Sequence, residues 1–556
     1  MKLSDGVFAI NKKEFLRIML YVFIFGIVAH GFCFFNANFS HDSLDQLDYN
    51  FDRQLIAVSV GRFARPLYCL FRGNIASPLL IGTLSLLFFS IGIYYLFEIL
   101  SIKEKVYQII GCGILITCGS LTSLFATYMH DADSYALAFL LVTLGMTCSV
   151  KNKNILAVAL YTLSIGIYQA YIQVAVVGFL ILSFSRIVGS DDWKIEARGL
   201  FKHLILIAIS MVMYFVIHKL VVLAISGLFR ASEAGAYNSV SKVGKISLGS
   251  IVSNVINALK VEVIWFVFPK SERWLLAFLI NLFILVVSFI SIIKICKKRQ
   301  LKRSSVMFIV FLFLALPFGM NIIGIVSGVN HDLTIFSFYF CYIFCMSIFS
   351  VRKKVEGEEF QPKEHRLYIA IAVALSIFIF NSIILSNKAY VRKDLETKAT
   401  LSVMTRIMDR IEQTEGYVPG ETKIAFVGDM DTSPLTKARD SFQIRLTGFD
   451  YNYNVTNNFQ TMGSKLDTYG RYLNTYLGYN AIVDYYTRWD LDPDVKQMPC
   501  FPDKDSCRIF GDTMIVKLSN TSYENAVVPT YTERVNTLFN NTVIARIIKN
   551  LKINER

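Results

Sequence analysis

The sequence predicts a mainly α-helical protein: a polytopic transmembrane bundle of about 9–11 spans followed by a water-soluble C-terminal α/β domain. Three observations carry this. Of 556 residues, 54% are hydrophobic. Those residues are clustered, in runs such as 79–100 and 204–225, each long enough for a helix to cross roughly 30 Å of hydrocarbon. After residue 386 the composition turns polar and stays so to the end.

The apolar runs lie at about 16–35, 79–100, 106–128, 135–150, 154–168, 170–186, 204–226, 274–293, 306–326, 333–350 and 367–386. The fifth and sixth are short and meet at Tyr168-Gln169-Ala170, the pattern of a re-entrant pair. The first run lacks a small-residue cleavage site and reads as a retained helix.

The formal charge of +14 raises the question of nucleic acid, and the location of the charge excludes it. Lys12-Lys13, Lys103 and Lys105, Lys151 and Lys153, 294–303 and 352–354 all lie between apolar runs, on alternate loops. That is the signature of cytoplasmic loops flanking the spans of an inner-membrane protein, not of a basic groove. It puts the N-terminus inside and, with an odd number of spans, the C-terminal domain in the periplasm.

Residues 1–386 thus form the membrane domain and 387–556 the periplasmic one. Within the latter, 395–415 has the period of an amphipathic helix, and 423–427, 481–486 and 513–518 read as short strands. Most of the ten cysteines sit in apolar runs. Cys500 and Cys507 do not, and in an oxidising compartment they are expected to form a disulfide.

Ionisable residues beside apolar spans are costly and need a reason. Here they gather on the outside loops. The first loop opens His41-Asp42-Ser43-Leu44-Asp45 and closes Gly61-Arg62-Phe63-Ala64-Arg65-Pro66. The second is His130-Asp131-Ala132-Asp133, and a later one holds His331-Asp332. A carboxylate at the membrane face can act as general base toward a hydroxyl, and neighbouring arginines can hold a phosphate leaving group. The same residues could simply cap helices or solvate loops.

His–carboxylate pairs and the DxD of Asp131 and Asp133 also suit a divalent ion, but no multi-ligand spacing is present. A P-loop, a dinucleotide-binding glycine fingerprint and a nucleophile elbow are all lacking. The long loop at 227–273 carries an amphipathic stretch, 246–268, with Lys270 and Arg273 after it as possible phosphate contacts. Tyr168 and Gln169, at the tip of the short pair, could touch a sugar, and helix packing explains them equally well.

Asp42, Gly61-Arg62-Phe63 and Pro66, the broken spans around Tyr168-Gln169 and the polar C-terminal domain together resemble the serotype-converting O-antigen glucosyltransferases of the Gtr type II family. The resemblance covers nearly the whole chain. It implies a GT-C-like fold that uses undecaprenyl-phosphate glucose as donor and an O-antigen repeat in lipopolysaccharide as periplasmic acceptor, with separate membrane proteins making and flipping the donor. It makes Asp42 the expected base, with Asp45 and Asp131 as alternatives, and Arg62 and Arg65 the residues near the donor phosphate. His41, His130, Asp133, His331 and Asp332 would line the substrate site. Tyr451-Asn452-Tyr453-Asn454 and the tyrosines of 469–479 are expected to hold the glycan. An O-antigen polymerase and a lipid-linked sugar flippase are the rival readings.

Overall fold

The computed structural model describes residues 6–38, 40, 43, 51–73, 76–229, 248–269, 273–328, 330–356, 362–430, 462–484 and 486–521. Among these the chain runs α1 (Lys12–Phe35), α2 (Phe51–Ser59), α3 (Arg65–Arg72), α4 (Pro78–Leu100), α5 (Lys105–Thr117), α6 (Gly119–Thr127), α7 (Ala132–Val150), α8 (Asn154–Ile167) and α9 (Ile172–Ser190). It continues as α10 (Trp193–Phe229), α11 (Leu248–Val267), α12 (Trp274–Arg299), α13 (Arg303–Met320), α14 (Ile322–Ser327), α15 (Phe340–Glu356) and α16 (Pro362–Glu412). Then come β1 (Lys423–Val427), α17 (Met462–Tyr476), α18 (Pro493–Gln497), β2 (Cys507–Phe510) and β3 (Thr513–Lys517).

Eight described helices are long and apolar enough to cross a membrane, and nine spans result if the bent pair α5–α6 counts as one. The protein is multi-pass. Two expected spans change. The run at 154–168 is only the 14-residue α8, too short to cross alone. The run at 333–350 is broken by 3₁₀ turns at Asp332–Thr334 and Phe336–Tyr339 before α15 begins. The break at Tyr168 falls where expected, but its second arm is longer than anticipated, because the span Gln169–Ser190 has 22 residues.

Within the bundle, large side chains meet small ones. Gly26 of α1 lies under Leu86, Gly92 of α4 under Phe139, and Gly145 of α7 under Tyr161. A Cβ on any of these would come within 2.7 Å of its neighbour, so glycine sets how closely the helices approach. His30, fully buried in α1, bridges the Tyr390 hydroxyl at 2.6 Å and the Ile116 carbonyl at 2.7 Å, tying α1 to α16 and α5.

The expected boundary at 386 is not a break in the chain. Helix α16 runs 51 residues without interruption, from an apolar half into the amphipathic stretch expected as a separate helix. Val403, Met404, Ile407, Met408 and Ile411 of its last turns form a second core with Ile424, Phe426, Tyr469, Tyr472, Met514, Val516 and Leu518. The sheet on this core has the order β1-β3-β2, with β1 parallel and β2 antiparallel to β3. Strands β1 and β3 lie where the sequence puts them. Strand β2 is an addition to the expected strands, and among the described residues 481–486 supplies only an isolated bridge between Val483 and Ile424.

The expected disulfide is absent: Cys500 and Cys507 are both free thiols. Cys507 opens β2 with its side chain in the second core, whereas Cys500 faces the Asn520 amide at 3.8 Å. Tyr451 to Asn454 lie outside the described residues. Tyr469 and Tyr472 are fully buried and so are core residues, not a glycan platform.

Candidate functional site

At one end of the bundle three helices break. Helix α6 passes into α7 through a 3₁₀ turn at Met129–Asp131, and α8 into α9 through Gln169–Tyr171. The turn at Asp332–Thr334 packs against α6 and against the 169–171 turn. Each break interrupts the backbone ladder and gives polar side chains a place near the end of an otherwise apolar bundle.

Helix α3 lies across this end, and its polarity is inverted. Residues 65, 68, 69 and 72, spaced as one helical face, point inward: Arg65 and Cys69 are buried, and Tyr68 and Arg72 half-buried. Leu67, Leu70 and Phe71 point out, Phe71 with 91% of its surface exposed. A helix that turns its charges in and its apolar residues out is built to meet hydrocarbon rather than water.

The inward charges are paired. Arg65 reaches Asp131 through Nε at 2.6 Å and through its terminal nitrogen at 2.5 Å, and donates to Gln54 at 3.1 Å. Arg72 donates to Asp133 at 2.8 Å and to the His130 carbonyl at 3.0 Å, while the Tyr68 hydroxyl donates to the other oxygen of Asp133 at 2.8 Å. The Asp131 side chain is 5% exposed and that of Asp133 is fully buried, so neither carboxylate faces open water.

Arg62 is placed differently. Its guanidinium sits 4.0 Å from Asp131 and stacks over the rings of Tyr135 and Tyr168, at 5.5 and 5.7 Å. Those rings are themselves stacked 4.0 Å apart. With 21% of its side chain exposed, Arg62 is the most accessible of the three arginines. Asp131 and Asp133 are each paired to a largely buried arginine, and Arg62 lies at the more accessible edge of the cluster.

The backbone that presents Arg62 is tightly specified. Gly61 has φ +90, and a Cβ there would lie 2.1 Å from the Tyr214 hydroxyl and 2.9 Å from Gln169 Nε2. The Gln169 amide donates to the Val60 carbonyl at 3.3 Å and to Tyr214 at 3.1 Å. The Ala64 N–H donates to the Gly166 carbonyl at 2.9 Å, and the Phe63 ring lies over Gly166 and stacks on Tyr214. The Gly-Arg-Phe segment is therefore held on both sides by the α8–α9 break.

The expected residues thus separate into groups. Arg62, Arg65, His130, Asp131, Asp133, Tyr168 and Gln169 come together, with His130 Nε2 3.7 Å from Asp131. Arg65, expected beside a donor phosphate, is instead occupied by Asp131 and Gln54. Tyr168 lies beneath Arg62, not open to a sugar. Asp332 is buried in the neighbouring turn, whereas His331 is exposed. Arg273 is exposed at the start of α12, which packs mainly on α15. His41, Asp42, Asp45 and Lys270 lie outside the described residues. Ser40, however, donates its hydroxyl to the Thr127 carbonyl at 2.5 Å, at the end of α6 that leads into the Met129–Asp131 turn.

Gln54, Tyr68, Arg72, Tyr135 and Tyr214 were not anticipated. Arg72 was legible, because it follows Arg65 by seven residues and falls on the same helical face. No cluster of three or more metal-ligating side chains occurs among the described residues, and the DxD carboxylates are each taken by an arginine.

Residues 31–348 match the model of a family described as glucosyl transferase GtrII. No curated protein and no solved structure gives a significant match. The matched segment runs from the end of α1 into α15 and contains the whole arginine–aspartate cluster, so the chain belongs to the GtrII glucosyl transferase family.

Proposed function

We propose that this glucosyltransferase moves glucose from undecaprenyl phosphate to an O-antigen repeat unit, at the periplasmic face of the bacterial inner membrane. The observation that carries the reading is Arg62, the most accessible of the three arginines, held over two tyrosine rings beside a helix whose outward face is apolar. A lipid phosphate has the same two-part chemistry, an anion on a hydrocarbon chain. Arg62 binds the phosphate, while Leu67, Leu70 and Phe71 keep the approach greasy.

Asp42 acts as the base. It takes the proton of an acceptor hydroxyl, whose oxygen attacks the anomeric carbon. The bond from that carbon to the phosphate oxygen breaks, and the prenyl phosphate leaves with its charge held by Arg62. Asp42 is preferred to Asp131 because Asp131 is buried and ion-paired, and because Asp42 is two residues from Ser40, which is bonded to the same end of the bundle. Asp45 is the alternative in the same loop. The basic loops at the opposite end support a cytoplasmic N-terminus.

Mass spectrometry of lipopolysaccharide from cells making the wild-type protein or Asp42→Asn at equal levels tests this. One added hexose per repeat, lost in the variant, is expected. A changed chain length with unchanged repeat mass would instead indicate a polymerase.

A further inference from the structure

A groove of about 550 Å³ runs along the membrane domain, remote in sequence from the arginine–aspartate cluster. Its wall is Val106 of α5 and one face of α16 from Tyr368 through Ala372 to Phe380, with His365 at the mouth. The volume is that of a typical small-molecule site, roughly 300–1,000 Å³. From residue 365 to residue 380 an α-helix advances about 22 Å, close to the length of one extended acyl chain.

The mouth is polar and built. The Tyr368 hydroxyl donates to Glu104 at 2.5 Å, and Lys353 lies 3.6 Å from Glu104 and 5.5 Å above the Tyr368 ring. The His365 ring stacks parallel to Tyr368. Glu104 is thereby matched by Lys353. Next in sequence to the lining residues Val106 and His365 stand Lys105 and Arg366, both exposed and forming no ion pair among the described residues. An apolar trough one hydrocarbon chain long, with excess positive charge at the basic end of the bundle, fits an amphiphile with an anionic head.

We propose that this groove binds an anionic glycerophospholipid, with one acyl chain along 369–380 and its phosphate between Lys105 and Arg366. The site is distinct from the proposed donor site, since none of its residues belongs to the arginine–aspartate cluster.

The test is native mass spectrometry of the purified full-length protein with added phosphatidylglycerol or phosphatidylcholine of identical chains. Phosphatidylglycerol is expected to be retained preferentially. Each of Lys105→Gln and Arg366→Gln should weaken that retention about fivefold, the value of one basic residue at an anionic surface. Ala372→Trp, which fills the trough, should abolish retention while elution and melting of the lipid-free protein stay as in wild type. Equal retention of the two lipids, or undiminished phosphatidylglycerol binding by a folded Ala372→Trp protein, would overturn the proposal. So would tight retention of a second protein copy in the groove in place of lipid.

Discussion

At the scale of the residue, the two buried ion pairs and the more accessible Arg62 make different predictions. Arg65 and Asp131 are both nearly inaccessible, so removing one leaves the other charged in a poorly solvated place. Arg65→Met is expected to cost about 3–5 kcal/mol in unfolding experiments in detergent, and the double variant Arg65→Met/Asp131→Leu to recover most of it. If the single variant melts with wild type, the pair is not structural. Glu262 gives a pH prediction. It lies on α11, which is not among the helices apolar enough to span, and burial pushes its carboxyl up to about 9 from an ordinary 4.5. With the folded value raised, the folded state binds the extra proton between those limits, so stability falls as pH rises from about 4.5 to 9. Glu262→Gln should flatten that slope and be at least neutral at pH 8. A slope unchanged in the variant would contradict the assignment.

At the scale of the element, the short segments carry the chemistry and were the hardest to read. Arg62 and Arg65 were identifiable because charges at a span boundary are conspicuous. Their unequal roles were not, because α3 is too short to show its inverted face until the positions of Asp131 and Asp133 are known. The break at Tyr168 was legible from two apolar runs too short to stand alone. The loops at His130 and His331 were legible as gaps between runs, but the bend between Thr117 and Gly119 and the 3₁₀ turn at Phe336–Tyr339 were not, since the runs 106–128 and 333–350 looked continuous. Gly61 makes the dependence testable. Gly61→Ala adds strain at φ +90 and a contact 2.1 Å from the Tyr214 hydroxyl, so it should destabilise by about 1–3 kcal/mol. Adding Tyr214→Phe should return part of the loss, as read from melting midpoints. A Gly61→Ala protein as stable as wild type would show that the turn has another conformation.

At the scale of the whole molecule, the multi-pass helical architecture and the small α/β unit at its end were readable from composition and periodicity. Counting spans was less secure, because α8 and α15 fall short of a crossing and apolar content alone does not distinguish a span from a helix packed among spans. The continuity of α16 was hidden for a related reason: the change from apolar to amphipathic at 386 looks like a boundary, yet one helix can serve both cores. Two of the tyrosines expected to hold a glycan, Tyr469 and Tyr472, proved to be packing residues, because tyrosine serves cores and sugar sites alike.

Transfer itself, with defined components, tests the central claim most directly. The purified protein in lipid vesicles would be given isolated lipopolysaccharide and either polyprenyl-phosphate glucose or a nucleotide-linked glucose, and the mass of the repeat unit followed. The account predicts one hexose per repeat from the polyprenyl donor alone, with Arg62→Ala slowed about 10²–10³-fold in a protein that melts like wild type. Incorporation from the nucleotide sugar, or undiminished transfer by Arg62→Ala, would contradict it.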